Sequence, residues 1–262
     1  MTRILAIVAS LALLPATANE LVRLTVRGDA TQAYALYDGG VAAPAYAAIL
    51  FSGGDGIVDF RDRPGGRFVV MRKGNFLVRS AELFAGDGFV AAVIDTPSDH
   101  PSGMSDFFRS GAEHAADVGA VADDLRKRYP GVKVILIGTS RGTLSAAYAA
   151  RALGDKVDGV VLTSSVFRPT RQSMGLGGFA FGDIKAPILF VHHEEDGCAV
   201  CCAYNEARWI GDYPLITVKG GDVGHGNPCE AQSHHGYLGQ EQQVVAAIKS
   251  WVTGKPYLRT IE

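Results

Sequence analysis

Val132-Lys-Val-Ile-Leu-Ile-Gly-Thr-Ser-Arg-Gly-Thr143 changes character at its centre. An apolar, β-branched run stops at Gly138, and a small-residue stretch from Leu144 to Leu153 follows with the composition of a helix. Strand, Gly-x-Ser-x-Gly, helix is the layout of a nucleophile elbow, a sharp turn that thrusts one serine out between the strand end and the helix start. The two glycines let neighbouring backbone approach closely. The N–H groups at the helix start are then placed to hold a developing oxyanion. Ser140 is the candidate nucleophile, against the competing reading of a serine that only caps its helix.

Outward from the elbow, strands alternate with helices. Ala112–Tyr129 carries Val118, Val121, Ala122 and Leu125 at helical spacing, with Asp117, Asp123, Asp124, Arg126 and Lys127 expected outward, and Pro130-Gly131 stops it. Pro44–Phe51, Gly88–Ile94, Gly159–Leu162, Pro187–Val191 and Leu215–Val218 read as strands, and the longest are almost continuously apolar. Such strands are buried on both faces, as in a parallel sheet covered by helices. Asn75–Phe84 reads as a helical stretch and Gln240–Val252 as the last helix, with Val244, Val245, Ile248 and Trp251 inward. Leu21–Arg27 and Gln32–Tyr37 alternate around Arg27-Gly28-Asp29-Ala30, which predicts an exposed antiparallel hairpin. The expected fold class is α/β: a mostly parallel central sheet flanked by helices on both faces, with an N-terminal antiparallel hairpin. The glycine-rich stretch 167–184 is the one insertion between late elements, so any lid is small and the entrance open.

The chain has 262 residues and a formal net charge of −2, which gives no electrostatic footprint for nucleic acid or an anionic membrane. Arg3, the apolar run 4–14 and Ala16-Thr17-Ala18 make residues 1–18 a secretory signal peptide, too short for a membrane span. Residues 19–262 are then a single domain of an exported protein, periplasmic or secreted, with no membrane insertion after cleavage. Four cysteines in an exported chain argue for disulfides. A Cys198–Cys229 bridge is expected, and the state of the adjacent Cys201 and Cys202 is left open.

A serine hydroxyl needs a base, and the base an acid that orients it. In folds that carry this elbow, the acid and then the histidine follow the nucleophile in sequence. Asp196 lies just beyond the strand ending at Val191 and is followed by Gly197, which makes it the acid. Glu194 and Glu195 are its local competitors, more simply read as solvated charges. For the base the residues offer His225, in Gly-Gly-Asp-Val-Gly-His-Gly, and His234 or His235, before Gly236-Tyr237. His100 and His114 lie upstream of the nucleophile and are read as structural.

Leu50-Phe-Ser-Gly-Gly-Asp-Gly56, Gly74-Asn-Phe-Leu-Val-Arg79, Gly138–Thr143, the stretch His192-His193 to Asp196-Gly-Cys198, and Pro228-Cys-Glu230 before His235-Gly-Tyr237 occur in that order. With them the chain resembles the α/β-hydrolase superfamily over essentially its whole mature length, and more narrowly a group of exported bacterial α/β hydrolases. The histidine before Gly-Tyr is the steady one in that pattern, so the resemblance implies His235 as base and His225 as the alternative. It implies a hydrolase and no particular substrate. In the same frame the oxyanion donors are the N–H of Arg141 and one from Ser52–Asp55, with Gly54 or Asp55 favoured. No Lys-Ser/Thr pair follows that loop, as a phosphate cradle would require. The Arg141 side chain is left between an anionic substrate group and a structural ion pair.

The expectation is a serine hydrolase that cleaves a carboxylic ester or related acyl bond of a small molecule, with no cofactor or metal. Three rivals remain. Acyl transfer uses the same triad. A zinc hydrolase would use His192, His193, Asp196, Cys198, Cys201, Cys202, Cys229 and His235. A hydrolase-shaped binding protein would use no chemistry at all. Oligomeric state does not follow from the sequence.

Overall fold

The computed structural model describes residues 19–171, 173–200 and 203–262. The expected signal segment 1–18 and the cysteines at 201 and 202 lie outside them. The elements in chain order are β1 (Glu20–Arg27), β2 (Ala30–Tyr37), β3 (Tyr46–Phe51), β4 (Phe60–Arg63), β5 (Arg67–Val70), α1 (Phe76–Arg79), α2 (Ala81–Phe84), β6 (Phe89–Ile94), α3 (Asp106–Arg109) and α4 (Ala112–Arg128). There follow β7 (Lys133–Thr139), α5 (Gly142–Leu153), β8 (Gly159–Thr163), β9 (Ile188–His193), α6 (Ala203–Trp209), β10 (Leu215–Val218), α7 (Glu241–Val252) and β11 (Thr260–Ile261). Nine of the strands form one sheet in the order β1-β2-β6-β3-β7-β8-β9-β10-β11. It is parallel from β6 onward, while β1 and β2 pair antiparallel with each other and β2 antiparallel with β6.

The near-continuous apolar strands are buried on both faces, for the reason their composition predicts. Alternate residues serve opposite layers. Leu136, Ile49, Ala92 and Leu162 pack with Val118 and Leu125 of α4 and Leu144 and Ala147 of α5. Ile137, Leu50, Val93 and Val161 pack with Phe76, Leu77, Phe84 and, from α7, Val244 and Ile248. The sheet is thus the middle of three layers, and β7, which carries the elbow, lies between β3 and β8 at its centre.

Some expectations change in the tertiary structure. The N-terminal hairpin is not exposed: Tyr34, Ala35 and Leu36 of β2 are buried because β2 is zipped onto β6, which leaves β1 alone as the edge. Asp117, expected outward, is fully buried, because α4 packs on β1 and Arg27 reaches across to it through Nε at 2.8 Å and Nη2 at 2.9 Å. The helical stretch 75–84 is two single-turn helices joined at Ser80. The hairpin β4–β5, the short helices α3 and α6 and the terminal strand β11 carry too little periodicity to be read from sequence. Among its described residues the insertion 167–184 holds one short helical turn, Phe181–Asp183, and is otherwise irregular.

Candidate active site

The elbow is built by close approach. A Cβ at Gly138 would stand 2.4 Å from the Gly142 carbonyl oxygen, and one at Gly142 would stand 2.2 Å from that of Phe51, so neither position admits a side chain. Ser140 itself sits at φ +53°, a left-handed backbone that non-glycine residues seldom adopt and that collects at functional turns. Three bonds hold it there. Its N–H donates to Thr163 O of β8 at 3.0 Å, and its carbonyl accepts from Thr143 N at 3.0 Å and Thr143 Oγ1 at 2.6 Å.

Asp196 and His235 meet across two loops. His235 Nδ1 lies 2.7 Å from Asp196 Oδ2, with both side chains almost wholly buried. The other carboxylate oxygen accepts from Cys198 N at 2.9 Å. Burial by itself pushes the Asp196 pKa up. The hydrogen bond and charge of His235 and the Cys198 N–H outweigh it, and the carboxyl is held below its ordinary value. The disulfide Cys198–Cys229 joins the acid's loop to the loop that leads into His235.

His235 is oriented from behind as well. Ser233 Oγ accepts from His235 N at 3.1 Å, and Ser164 Oγ lies 2.8 Å from His235 O and 2.9 Å from Tyr237 Oη. Tyr237 Oη donates to Val191 O at 2.7 Å and accepts from Ser164 N at 3.0 Å. Ser164 and Tyr237 are both buried and both at positive φ, +43° and +57°. Two residues at positive φ, Ser164 at the end of β8 and Tyr237 at the end of the turn that carries His235, therefore fix the histidine's backbone. Arg79 adds a third tie: Nη2 donates to Gly236 O at 2.6 Å, Nη1 to Gly74 O at 2.6 Å, and Nε to Glu241 of α7 at 2.9 Å.

Ser140 and His235 line one cavity of about 350 Å³, walled by Ser52–Asp55, Asn75, Phe76 and Cys229, with Arg72 and Glu230 as its peripheral charges. His225 is exposed and lines the neighbouring cavity with Glu195, Pro228 and His234, so it is not brought to Ser140. Glu194 is exposed and pairs with Lys219 at 3.3 Å.

Of the expected oxyanion donors, Gly54 and Asp55 line the cavity, and Arg141 follows Ser140 at the turn. Among the described residues the backbone N–H groups of Gly54, Asp55 and Arg141 donate to no protein acceptor. The Arg141 side chain is structural. Nε and Nη2 bind Asp106 Oδ1 at 3.0 and 2.6 Å, and Nη1 donates to Gly54 O at 3.1 Å. Arg109 is fully buried and donates to the same Gly54 carbonyl at 3.2 Å and to Ser145 Oγ at 2.8 Å. Burial, then the charge of Arg141, lowers its pKa to about 10, so it remains a cation at neutral pH. Two guanidinium groups thus turn the Gly54 carbonyl away from the cavity. In a trans peptide the N–H of Asp55 then faces the other way. Asp106 Oδ2 also accepts from Met174 N at 2.7 Å, which ties the insertion to the elbow.

The metal rival fares differently. Cys198 and Cys229 are joined to each other, and Asp196 is joined to His235. Among the described residues one group, His193, Glu195 and His234, has ligand-type atoms within 4.8 Å of one another. His193 has no ring nitrogen to spare: Nδ1 accepts from Glu195 N at 3.1 Å and Nε2 bonds Gly220 O at 2.9 Å. Its ring stacks on His234 at 4.2 Å, a packing pair rather than a ligand shell.

Ser164, Asn75, Arg79, Asp106 and Arg109 were not singled out individually in the sequence. Asn75 and Arg79 stand out in the sequence only as part of the Gly74–Arg79 stretch, and Asp106 and Arg109 give no sequence signal, since their partners lie 35 to 68 positions away.

Residues 79–189 match a family model described as serine aminopeptidase, S33. No curated protein matches by sequence. Among solved structures, the chain is similar to an α/β serine hydrolase without a lid from Xanthomonas campestris, at 19% identity and TM-score 0.59, over 92% of this chain and 100% of that one. It is similar to Est1E from Butyrivibrio proteoclasticus, at 15% identity and TM-score 0.57, over 90% and 98% of the two chains. A putative α/β hydrolase from Agrobacterium tumefaciens matches at 14% identity and TM-score 0.59, over 89% and 97%. At these identities the likeness is one of fold.

Proposed function

An α/β hydrolase by fold, the chain is, we propose, a serine hydrolase that cleaves carboxylic esters of small molecules through Ser140, His235 and Asp196. The observation that carries this reading is the buried 2.7 Å Asp196–His235 pair, with its histidine lining the same cavity as the elbow serine. His235, kept in one tautomer by Asp196 at Nδ1, takes the proton of Ser140 as the hydroxyl attacks the ester carbonyl. The carbonyl electrons move onto oxygen, where the N–H groups of Arg141 and of Gly54 or Asp55 stabilise the charge. His235 protonates the departing alcohol, leaving an acyl-enzyme. Water, deprotonated by the same imidazole, then releases the acid and restores Ser140.

Phe76 and Ile57 are the large apolar side chains of the cavity, and its volume of about 350 Å³ favours a short acyl or alcohol group over a long chain. The family model's description favours an amide as the second reading, by the same steps. An ester and an amide of one acyl group, assayed side by side, separate the two. We also propose that the protein acts outside the cytoplasm, a reading supported by residues 1–18 and by the disulfide.

Labelling of the oxidised protein with a fluorophosphonate tests the mechanism. Labelling is expected in wild type and in His225→Ala, and is expected to be lost in Ser140→Ala and His235→Ala. Loss in His225→Ala with retention in His235→Ala would move the base. A wild type that neither labels nor turns over an ester would sink the serine reading.

A further inference from the structure

Gly74-Asn-Phe-Leu-Val-Arg79 forms one wall of the Ser140 cavity, yet the triad and the backbone oxyanion donors make no use of it. Asn75 lines that cavity. Its Oδ1 accepts from Leu77 N at 3.1 Å and so caps α1. A backbone N–H can only donate, so the side-chain atom facing it must be oxygen, which fixes the amide the other way round for Nδ2. Nδ2 stands 3.5 Å from the point a Cβ would occupy on Gly53. That same point is 2.8 Å from Ser140 Cβ and 3.1 Å from Thr139 O. Nδ2, the bare glycine loop and the serine therefore converge on one small volume. Among the described residues no group accepts a hydrogen bond from Nδ2.

Capping alone does not require this residue. Serine, aspartate and asparagine cap about equally well, since only the acceptor oxygen is used. What asparagine adds is a neutral N–H donor aimed into the cavity. The donor is also tied to the base: Arg79 holds the Gly74 carbonyl just before Asn75 and the Gly236 carbonyl just after His235. Phe76 packs edge-on against Tyr237, with ring centroids 4.9 Å apart, and locks the two segments together.

We infer that Asn75 is a third oxyanion donor, its Nδ2–H binding the substrate carbonyl oxygen as charge develops there, an assignment that rests on the serine reading above. When Ser140 Oγ bonds to the carbonyl carbon, the π pair passes to oxygen and is held by Nδ2–H together with the backbone N–H groups. The serine proton goes to His235. Asn75 gains and loses nothing as the intermediate collapses, the carbonyl reforms and the alcohol leaves with that proton. Its whole contribution is to the charged oxygen.

Asn75→Ser and Asn75→Asp both keep an acceptor for Leu77 N and remove the amide Nδ2 donor; aspartate leaves no donor, and serine leaves only a hydroxyl on a side chain one bond shorter. Turnover of p-nitrophenyl acetate and of its thiono analogue, in which sulfur replaces the carbonyl oxygen, is measured for both variants, with thermal melting alongside. The expected result is a fall in kcat of roughly 10² to 10³ on the oxygen ester, the usual cost of one lost oxyanion donor, with KM and Tm near wild type. The thiono ester, whose sulfur is a poor hydrogen-bond acceptor, should lose far less. Two outcomes overturn the assignment: kcat within threefold of wild type in both variants, or an equal loss on both esters, which would make Asn75 a positioning residue only. Ser140→Ala run in parallel separates the two levels. Retained turnover there sinks the serine reading itself, whereas lost turnover there with full turnover in Asn75→Ser sinks the Asn75 assignment alone.

Discussion

Asp196 serves the proposed chemistry only while it is ionised and aimed at His235 Nδ1. Replacing it with asparagine keeps the shape but lets the amide favour the wrong histidine tautomer. The expectation for Asp196→Asn is a loss in kcat on the order of 10⁴, with the fold intact by circular dichroism. The pH behaviour follows from the direction of its shift. A carboxyl held below its ordinary value contributes stability that is fully present above the unfolded pKa, 3.8. That contribution is lost as pH falls through the folded pKa, which lies lower still. Asp196→Asn should therefore flatten the stability profile at the acid end, below about pH 4, as followed by urea unfolding. At the same scale, the left-handed backbones of Ser140, Ser164 and Tyr237 cluster around the serine and the base. None is a glycine, so the surrounding hydrogen bonds must hold each in place.

At the scale of elements, the site is an assembly of loops rather than of sheet residues. The loop of Asp196 follows β9 and His235 sits in a single 3-10 turn, His234–Gly236, before α7, and no strand or long helix fixes one against the other. The Cys198–Cys229 bridge supplies that constraint across 31 positions of chain. Closing a loop of that length contributes about 4 kcal/mol by the loop-entropy argument. Cys198→Ala with Cys229→Ala, or reduction by a dithiol, should lower Tm by several degrees. It should also lower kcat, because Cys198 N is one of the donors that position Asp196. Unchanged kcat after complete reduction, checked by thiol titration, would show that Ser233, Ser164 and Arg79 suffice to place the base. The insertion is tied down in a comparable way, by the single carboxylate of Asp106 that holds both Met174 N and Arg141.

The whole molecule carries an acid liability in two fully buried histidines. Burial, reinforced by the charges of Arg109, Arg27 and His100, lowers the His114 pKa to about 3, and both of its ring nitrogens lack partners. Burial likewise lowers His192 to about 3, with Asp196 opposing and His235 adding to the effect. Unfolded, each would take a proton near 6.5, so between pH 6.5 and 3 the unfolded chain binds more protons than the folded one. Stability is full above that window and falls as the pH drops through it, by up to about 1.4 kcal/mol per pH unit for each histidine. His114 lies between the rings of Phe51 and Phe108. His193, buried with its pKa also lowered by burial, adds to the same slope, so His114→Phe should remove one contribution and lower the slope in denaturant titrations without abolishing it. A slope unchanged from wild type would mean that His114 is protonated in the folded state.

Much of this architecture is decided locally. Apolar runs long enough to be buried on both faces dictate a covered parallel sheet. Gly138 and Gly142 permit an approach that a single methyl group would block, so the elbow and its serine are written into five residues. Asp196 and the pairing of Cys198 with Cys229 could be anticipated because each lies at a strand end or in a loop that the topology must bring near Ser140. The choice between His225 and His235 could not be made from the residues, since both lie in loops past β10. It depends on the path that the chain takes between β10 and α7, and on the ties from the ends of β8 and β9, where Ser164 holds His235 O and Val191 O holds Tyr237. Asp117 shows the same limit: its helical position says outward, and only the hairpin laid over α4, bringing Arg27, makes burial tolerable. Periodicity and turn chemistry act over a few residues, and the sequence alone therefore determined the sheet, the elbow and the serine at its tip. Which charges are buried, which histidine meets the acid and which amide faces the serine depend on partners tens to more than a hundred positions apart, and those the tertiary structure decided.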